Sequence, residues 1–389
     1  MTGLDRLAAD RWTSLRGQRV GLVVHPASVD GALRHARDLV AAAGDGAVDL
    51  RALFGPQHGI LGQTQDNMIE WQGFTDPRSG VPVHSLYGEH RRPTAAMLEG
   101  LDTLVIDLQD VGARYYTFIW TMLLCLEACA AAGRRVVVLD RPNPLGGTGV
   151  EGNVLDPRYS SFVGLAPIPM RHGLTIGELA GFFAAWRGLD VDLQVVWMEG
   201  WRRDQHFDAT GLPWVLPSPN MPTLDTAFVY PGGCLLEGTN LSEGRGTTRP
   251  FEILGAPFVD GRKLAAVLGA WNLPGCRFRP LEFEPTFHKF AGQVCGGVQV
   301  HVTDRVAFES VTTYTAAIAA IAGLWPDGFA WKQPPYEYET EKLPIDILAG
   351  GTLWREHVEG GLSPWQMKAH WLEELRAFAD LAEAHRHYA

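Results

Sequence analysis

Four apolar runs within the first 140 residues end in the same way, each passing from β-branched and aliphatic residues directly into a cluster of functional groups. Arg19-Val-Gly-Leu-Val-Val24 meets His25-Pro26, and Val48-Asp-Leu-Arg-Ala-Leu-Phe54 meets Gly55-Pro-Gln-His-Gly59. Thr103-Leu-Val-Ile-Asp107 opens into Leu108-Gln-Asp-Val-Gly-Ala-Arg-Tyr-Tyr-Thr117, and Arg135-Val-Val-Val-Leu139 into Asp140-Arg-Pro-Asn-Pro144. Between them, residues 32–43, 94–99 and 117–133 carry helical character, with Met122, Leu123, Leu126 and Ala130 at helical spacing. Apolar strands alternating with helices predict βαβ units around a parallel sheet. Such sheets bind ligands beyond the carboxyl ends of their strands, where these clusters fall.

A chain of 389 residues has material for two or three domains, and two are expected. The first, residues 1–225, is read as a Rossmann-like α/β domain, with a further helix at 175–186 and a strand at Leu193-Gln-Val-Val-Trp197. Leu216-Pro-Ser-Pro-Asn-Met-Pro222 excludes helix and suits a rigid connection. The second, residues 226–389, is read as a smaller mixed α+β domain completing the cleft. It holds a Gly-rich polar stretch over 231–250, helices at 261–268 and 310–324, a strand at 297–302 and an amphipathic helix towards the end.

Composition narrows the function classes. A net charge of −11 argues against nucleic acid as a partner, because that affinity rests on basic side chains at phosphates. No apolar stretch approaches the ~20 residues that cross a bilayer, so no membrane partner is expected. An acidic, weakly apolar Met1–Asp10 segment gives the expectation of a cytoplasmic protein. Cys125 and Cys129, one helical turn apart, are read as core residues rather than as a disulfide or metal ligands. Dinucleotide, P-loop, zincin and nucleophile-elbow motifs are missing. Gly147-Thr-Gly-Val-Glu-Gly152 follows a proline-containing linker with no helix after it, and is a chance match.

Two further clusters carry chemistry. Leu236-Glu-Gly-Thr-Asn-Leu-Ser-Glu-Gly-Arg-Gly-Thr-Thr-Arg-Pro-Phe-Glu252 sets acids, arginines and hydroxyls among glycines that let backbone approach a ligand. The long connection after the second strand carries His58 and Glu70, as a lid or binding element would.

Phe54-Gly-Pro-Gln-His-Gly59, Asp107–Thr117, Leu139–Pro144, Met170-Arg-His-Gly-Leu-Thr-Ile-Gly-Glu-Leu179, Pro217-Ser-Pro-Asn-Met-Pro-Thr-Leu-Asp-Thr226 and Glu237–Phe251 closely resemble the bacterial exo-β-N-acetylmuramidases of the NamZ type. The resemblance runs from about Arg19 to the C-terminus. It implies release of terminal N-acetylmuramic acid from the non-reducing end of peptidoglycan fragments in cell-wall turnover and recycling, by a Rossmann-like domain with an accessory C-terminal domain. The partner is then a small amino sugar or muramyl disaccharide. No cofactor or metal is implied, and the oligomeric state is left open. Where many relatives have Pro-Glu-His-Gly, this chain has Gln57, and an amide cannot exchange a proton as a carboxyl group does.

Glycoside cleavage calls for a proton donor and a second carboxylate. Glu70, Asp110 and Glu243 are the candidates, with Tyr116 and His58 in support. The lactyl carboxylate of muramic acid calls for guanidinium, for which Arg114, Arg141, Arg245 and Arg249 lie in the right clusters. Gln57, Asp107, Asn143, His172, Asn220 and Asn240 complete the expected binding set. Two other readings stand beside this one. A metal-dependent hydrolase would use His58, Asp107, Asp110 and His172, and a sugar-binding protein would have lost turnover through Gln57.

Overall fold

The computed structural model describes residues 1–43, 47–66 and 68–389. Among these residues a seven-stranded sheet takes the order β3-β4-β2-β1-β5-β6-β9. Its strands are β1 (Arg19–Val24), β2 (Asp49–Gly55), β3 (Phe74–Thr75), β4 (Pro82–Ser85), β5 (Thr103–Asp107), β6 (Arg135–Leu139) and β9 (Leu193–Val196). Every pairing is parallel except β3 on β4. The Rossmann-like α/β architecture expected from the apolar runs is therefore the observed one.

Residue alternation sorts the side chains onto the two faces. Val20, Leu22 and Val24 of β1, Val105 of β5 and Val137 and Leu139 of β6 pack with Leu4 and Leu7 of helix Gly3–Ala9. Leu104, Ile106, Val136 and Val138 point the other way, into the main core. There helix Phe118–Ala132 lies against the sheet and against helix Ile176–Arg187, with Trp120 and Phe183 rings 5.3 Å apart. A helix covered on both sides carries apolar residues nearly all round, which explains its mixed spacing. Cys125 and Cys129 are buried there as free thiols.

A hairpin of β7 (Glu151–Val154) and β8 (Pro169–Arg171) leads towards the second half. That half holds an antiparallel sheet in the order β10-β12-β11, from β10 (Ile253–Ala256), β11 (Cys276–Phe283) and β12 (Cys295–Val302), together with helices Gly261–Ala270, Ser310–Leu324, Pro344–Ala349, Leu353–Glu359 and Pro364–Glu383. No helix among the described residues is long and apolar enough to cross a membrane.

Several expectations need adjustment. The helix expected over 32–43 spans only Ala36–Ala41. The polar stretch from Pro231 begins inside helix Leu224–Gly233, followed by a tight turn at Cys234–Gly238. A helix tolerates Pro231 here because Ser310 reaches in and its Oγ accepts from the Gly232 N–H at 2.8 Å. Strand β11 has no expected counterpart, since Pro280 reads against a strand. Its place at the sheet edge explains the tolerance.

Candidate active site

Segments from both halves of the chain line a hollow with a cavity volume of about 40 Å³. The turn after β2 brings Gln57 and His58, the N-terminal approach to helix Phe118–Ala132 brings Tyr115, Tyr116 and Thr117, and the proline-rich connection brings Ser218, Asn220 and Met221. From the other side come Glu237 and Arg245 of the Gly-rich stretch, and Tyr336 and Glu337 of the loop before helix Pro344–Ala349. Val163, Tyr230 and Phe251 close the apolar wall. The Gly-rich stretch can turn this tightly because Gly244 sits at φ +76°, where an added Cβ would lie 2.7 Å from the Ile253 carbonyl oxygen.

Two buried carboxylates face this hollow from different surroundings. Glu237 is ion-paired to Arg245 at 2.8 Å and accepts from the Tyr336 hydroxyl at 2.6 Å. Arg245 also approaches Glu243 at 3.4 Å and lies over the Phe251 ring at 5.1 Å. Burial works against its charge, but Glu237 and Glu243 outweigh that and raise its affinity for the proton.

Among the described residues, Glu337 forms no ion pair of this kind. Its Oε2 accepts from the Tyr87 hydroxyl at 2.9 Å and its Oε1 from the Gln57 amide at 3.3 Å. Burial pushes its carboxyl up to about 7, the Tyr87 bond opposes this, and the charge of Glu237 adds to it. Glu337 and Tyr338 both hold left-handed backbone, at φ 44° and 67°, which non-glycine residues adopt at some cost.

Gln57 is fixed from both ends. Its Oε1 accepts from Thr117 at 2.8 Å, so its NH2 must face Tyr87 and Glu337. His58, also at positive φ, donates from Nδ1 to the Thr64 carbonyl at 3.0 Å, which leaves Nε2 with its lone pair. Burial, then the nearby Arg245 charge, lowers this imidazole to about 4, so it is neutral near pH 7. The buried Tyr115 hydroxyl has no hydrogen-bond partner among the described residues, a donor available to whatever the hollow receives.

Of the residues expected from the sequence, Gln57, His58, Tyr116, Asn220 and Arg245 line this hollow. The three carboxylates expected to act do not. Glu70 is exposed and hydrogen-bonded to Tyr338. Asp110 is buried 3.1 Å from His172 and accepts from the Gly112 N–H at 2.7 Å. Glu243 lies behind Arg245, held by Lys289 at 3.0 Å and His288 at 3.1 Å, whose charges outweigh burial and draw it well below the carboxylate range.

The remaining expected binding residues are occupied structurally. Arg141 is paired bidentately to Asp107, at 2.5 and 2.8 Å, beyond the end of β5. Arg114 donates to the carbonyls of Asn153, Ile168 and Leu348. Asn143 bridges Leu174 and Leu145, Asn240 bridges Gly328 and Ala330, and half-exposed Arg249 turns to Glu252. The four side chains of the metal-hydrolase reading are not gathered, since Asp107 faces Arg141, Asp110 faces His172 and His58 lies in the hollow. Sequence reading passed over Glu237 as an actor and missed Glu337 altogether. The signal was Pro335-Tyr-Glu-Tyr-Glu339, an aromatic and acidic cluster like that at 107–117, but with no strand before it to announce it.

Comparison with known proteins agrees with this architecture. Residues 20–225 match the family model described as exo-beta-N-acetylmuramidase NamZ, N-terminal, and residues 228–388 match its C-terminal counterpart. The peptidoglycan beta-N-acetylmuramidase NamZ of Bacillus subtilis (strain 168) is 47% identical over 362 residues, covering 93% of this chain and 85% of the relative. Two crystal structures of DUF1343 family proteins from Bacteroides fragilis NCTC 9343 superpose with TM-scores of 0.88 and 0.75, at 34% and 28% identity. Each alignment covers 100% of this chain and 98% of the other. The chain belongs to the exo-beta-N-acetylmuramidase NamZ family.

Proposed function

We propose that this chain is an exo-acting β-N-acetylmuramidase that removes the non-reducing terminal muramic acid of peptidoglycan fragments in cell-wall recycling, with Glu337 as the proton donor and Glu237 as the second carboxylate. One observation carries the assignment. In a hollow closed by both halves of the chain, one buried carboxyl is pushed to about 7 while its neighbour is ion-paired to an arginine. Paired carboxyl groups in unequal surroundings are how one site holds an acid and a base at the same pH. The amide at position 57 then leaves no gap in the chemistry, because it donates directly to Glu337.

In the reaction, the Glu337 proton passes to the glycosidic oxygen and the C1–O bond breaks with its electron pair on that oxygen. Water adds to C1 and gives its proton to Glu237, and exchange with solvent restores both groups. The positive charge that develops on the sugar ring is stabilised by the Glu237 carboxylate. Arg245 is the guanidinium that lines the hollow and suits the lactyl carboxylate, while Asn220, Tyr116 and the lone pair of His58 bind polar groups of the ring. The meeting of the two family models near residue 225 supports a division there into a sheet domain and an accessory domain, with the site between them.

The experiment offers a β-muramyl chromogenic glycoside beside its N-acetylglucosaminyl counterpart, and muramyl disaccharide to the Glu337→Gln variant. We expect cleavage of the muramide alone, and a kcat on the disaccharide lower by about 10²–10⁴-fold in the variant. Tight binding of muramyl sugars without release of product would overturn the assignment in favour of a sugar-binding protein.

A further inference from the structure

Glu337 borders a second, outer and more open hollow of about 310 Å³. Its lining suits a pyranose, with a partly apolar floor of Phe162 and Leu165 and hydroxyls at Ser160 and Ser161. Tyr338 stands at its edge with 42% of its surface exposed. The Arg91 guanidinium lies 4.0 Å from the centre of that ring and 5.9 Å from Phe162. It forms no ion pair among the described residues, so its donors remain available beside an aromatic surface. The Tyr338 ring is itself fixed, by a hydrogen bond to Glu70 and edge contacts to Tyr87 and Phe162.

We infer that this outer hollow is the leaving-group subsite, taking the amino sugar that departs when the terminal muramic acid is cut off, with Arg91 and Tyr338 as its specificity-determining residues. The inference rests on the muramidase reading above and adds the other half of the substrate. A proton donor must touch the oxygen that joins the two sugars, so it must border both of their sites, and Glu337 borders both hollows. Both hollows are lined from both halves of the chain, and the outer one adds an exposed ring with a guanidinium lying over it. An uncharged, hydroxyl-rich hexosamine fits the outer lining, its ring faces against aromatic and aliphatic carbon and its hydroxyls towards Ser160, Ser161 and the guanidinium.

The test compares two substrates that share the muramic acid and differ in what leaves. One is muramyl disaccharide, and the other is β-muramyl fluoride, whose leaving atom is too small to reach the outer hollow. For Arg91→Ala and Tyr338→Ala we expect kcat/KM on the disaccharide to fall about tenfold more than on the fluoride, mostly through KM. Tyr338→Phe, which keeps the ring, is expected to recover most of the loss and guards against a misfolded alanine variant. Equal losses on the two substrates, or no loss on either, overturn the subsite while leaving the muramidase reading intact. A wild-type protein that releases muramic acid from neither substrate overturns both.

Discussion

A carboxylic acid that donates a proton near neutral pH must be made reluctant to ionise, and at Glu337 burial does this first and Glu237 adds to it. The consequence for activity has a definite sign. The acid form is required, so kcat/KM on the disaccharide should fall as pH rises through about 7, and a pH profile measures it. The same group carries a linkage to stability. Its folded value is raised above the ordinary 4.5, so its contribution is fully present below that value and is lost as pH rises through about 7. Gln57→Glu tests the local electrostatics directly. It replaces an N–H donor at 3.3 Å with a second carboxylate, so Glu337 should hold its proton more tightly and the falling limb should move upward by about one pH unit or more. A limb that stays put or moves down would mean that another group sets the profile. Little of this was legible in the sequence. Gln57, His58 and Tyr116 announced themselves by following strands, Arg245 by sitting among glycines and Asn220 by its place in the proline-rich connection. Glu337 comes from a loop 280 residues from Gln57, and only the closed fold brings them together.

At the scale of single elements, the central strands β1, β5 and β6 were readable because they are buried on both faces, which forces a continuous apolar run and a polar stop, whereas the exposed edge strand β3 carries no such run. The ends of helices were readable where a cap supplies the reason, as at Thr175 with its capping box to Glu178. What the pattern does not encode is the use to which a polar residue is put. Arg114, placed among apparent binding groups, ties three separate elements together by donating to Asn153 in β7, to Ile168 before β8 and to Leu348 in helix Pro344–Ala349. Burial lowers its pKa to about 10, still far above neutrality, so the charge persists and is dispersed over carbonyl oxygens. Replacing it by methionine leaves those three acceptors short of a donor inside the protein. We expect a loss of about 3–5 kcal/mol in denaturant unfolding. Arg114→Lys should recover only a small part, because one ammonium group cannot span the carbonyls that a guanidinium fork reaches. Full recovery by lysine would show that the charge alone matters there.

Across the whole molecule, residues near the two ends of the chain converge on the end of β6, and no periodicity in the sequence foretold it. Gly3 donates its N–H to the Asp140 carbonyl at 2.8 Å, while from the opposite end the Tyr388 hydroxyl donates to the Asp140 carboxyl. His387 stacks on Trp197 with centroids 4.0 Å apart, and the Arg203 N–H donates to the Ala389 carbonyl at 2.9 Å. The amphipathic helix expected over 370–389 in fact spans Pro364–Glu383, which frees the last residues to fold back onto the sheet. Burial raises Asp140 to about 7, with Tyr388, Gly177 and Thr175 opposing it through hydrogen bonds. Its folded value lies above the ordinary 3.8, so the stability it contributes is complete below that value and is lost as pH rises through about 7. Tyr388→Phe removes the bond that best tolerates the ionised form, so the carboxyl should hold its proton to still higher pH. The variant's stability should then decline with pH more steeply than that of the wild type. Urea unfolding should show a small deficit at pH 5, where Asp140 is protonated in both proteins, and a larger one of about 1–3 kcal/mol at pH 8. A deficit that is constant with pH would mean that Tyr388 acts through its ring contacts, such as that with Trp201 5.0 Å away, and through the bond from the Met198 N–H, and that its hydroxyl does not govern the carboxyl beneath it.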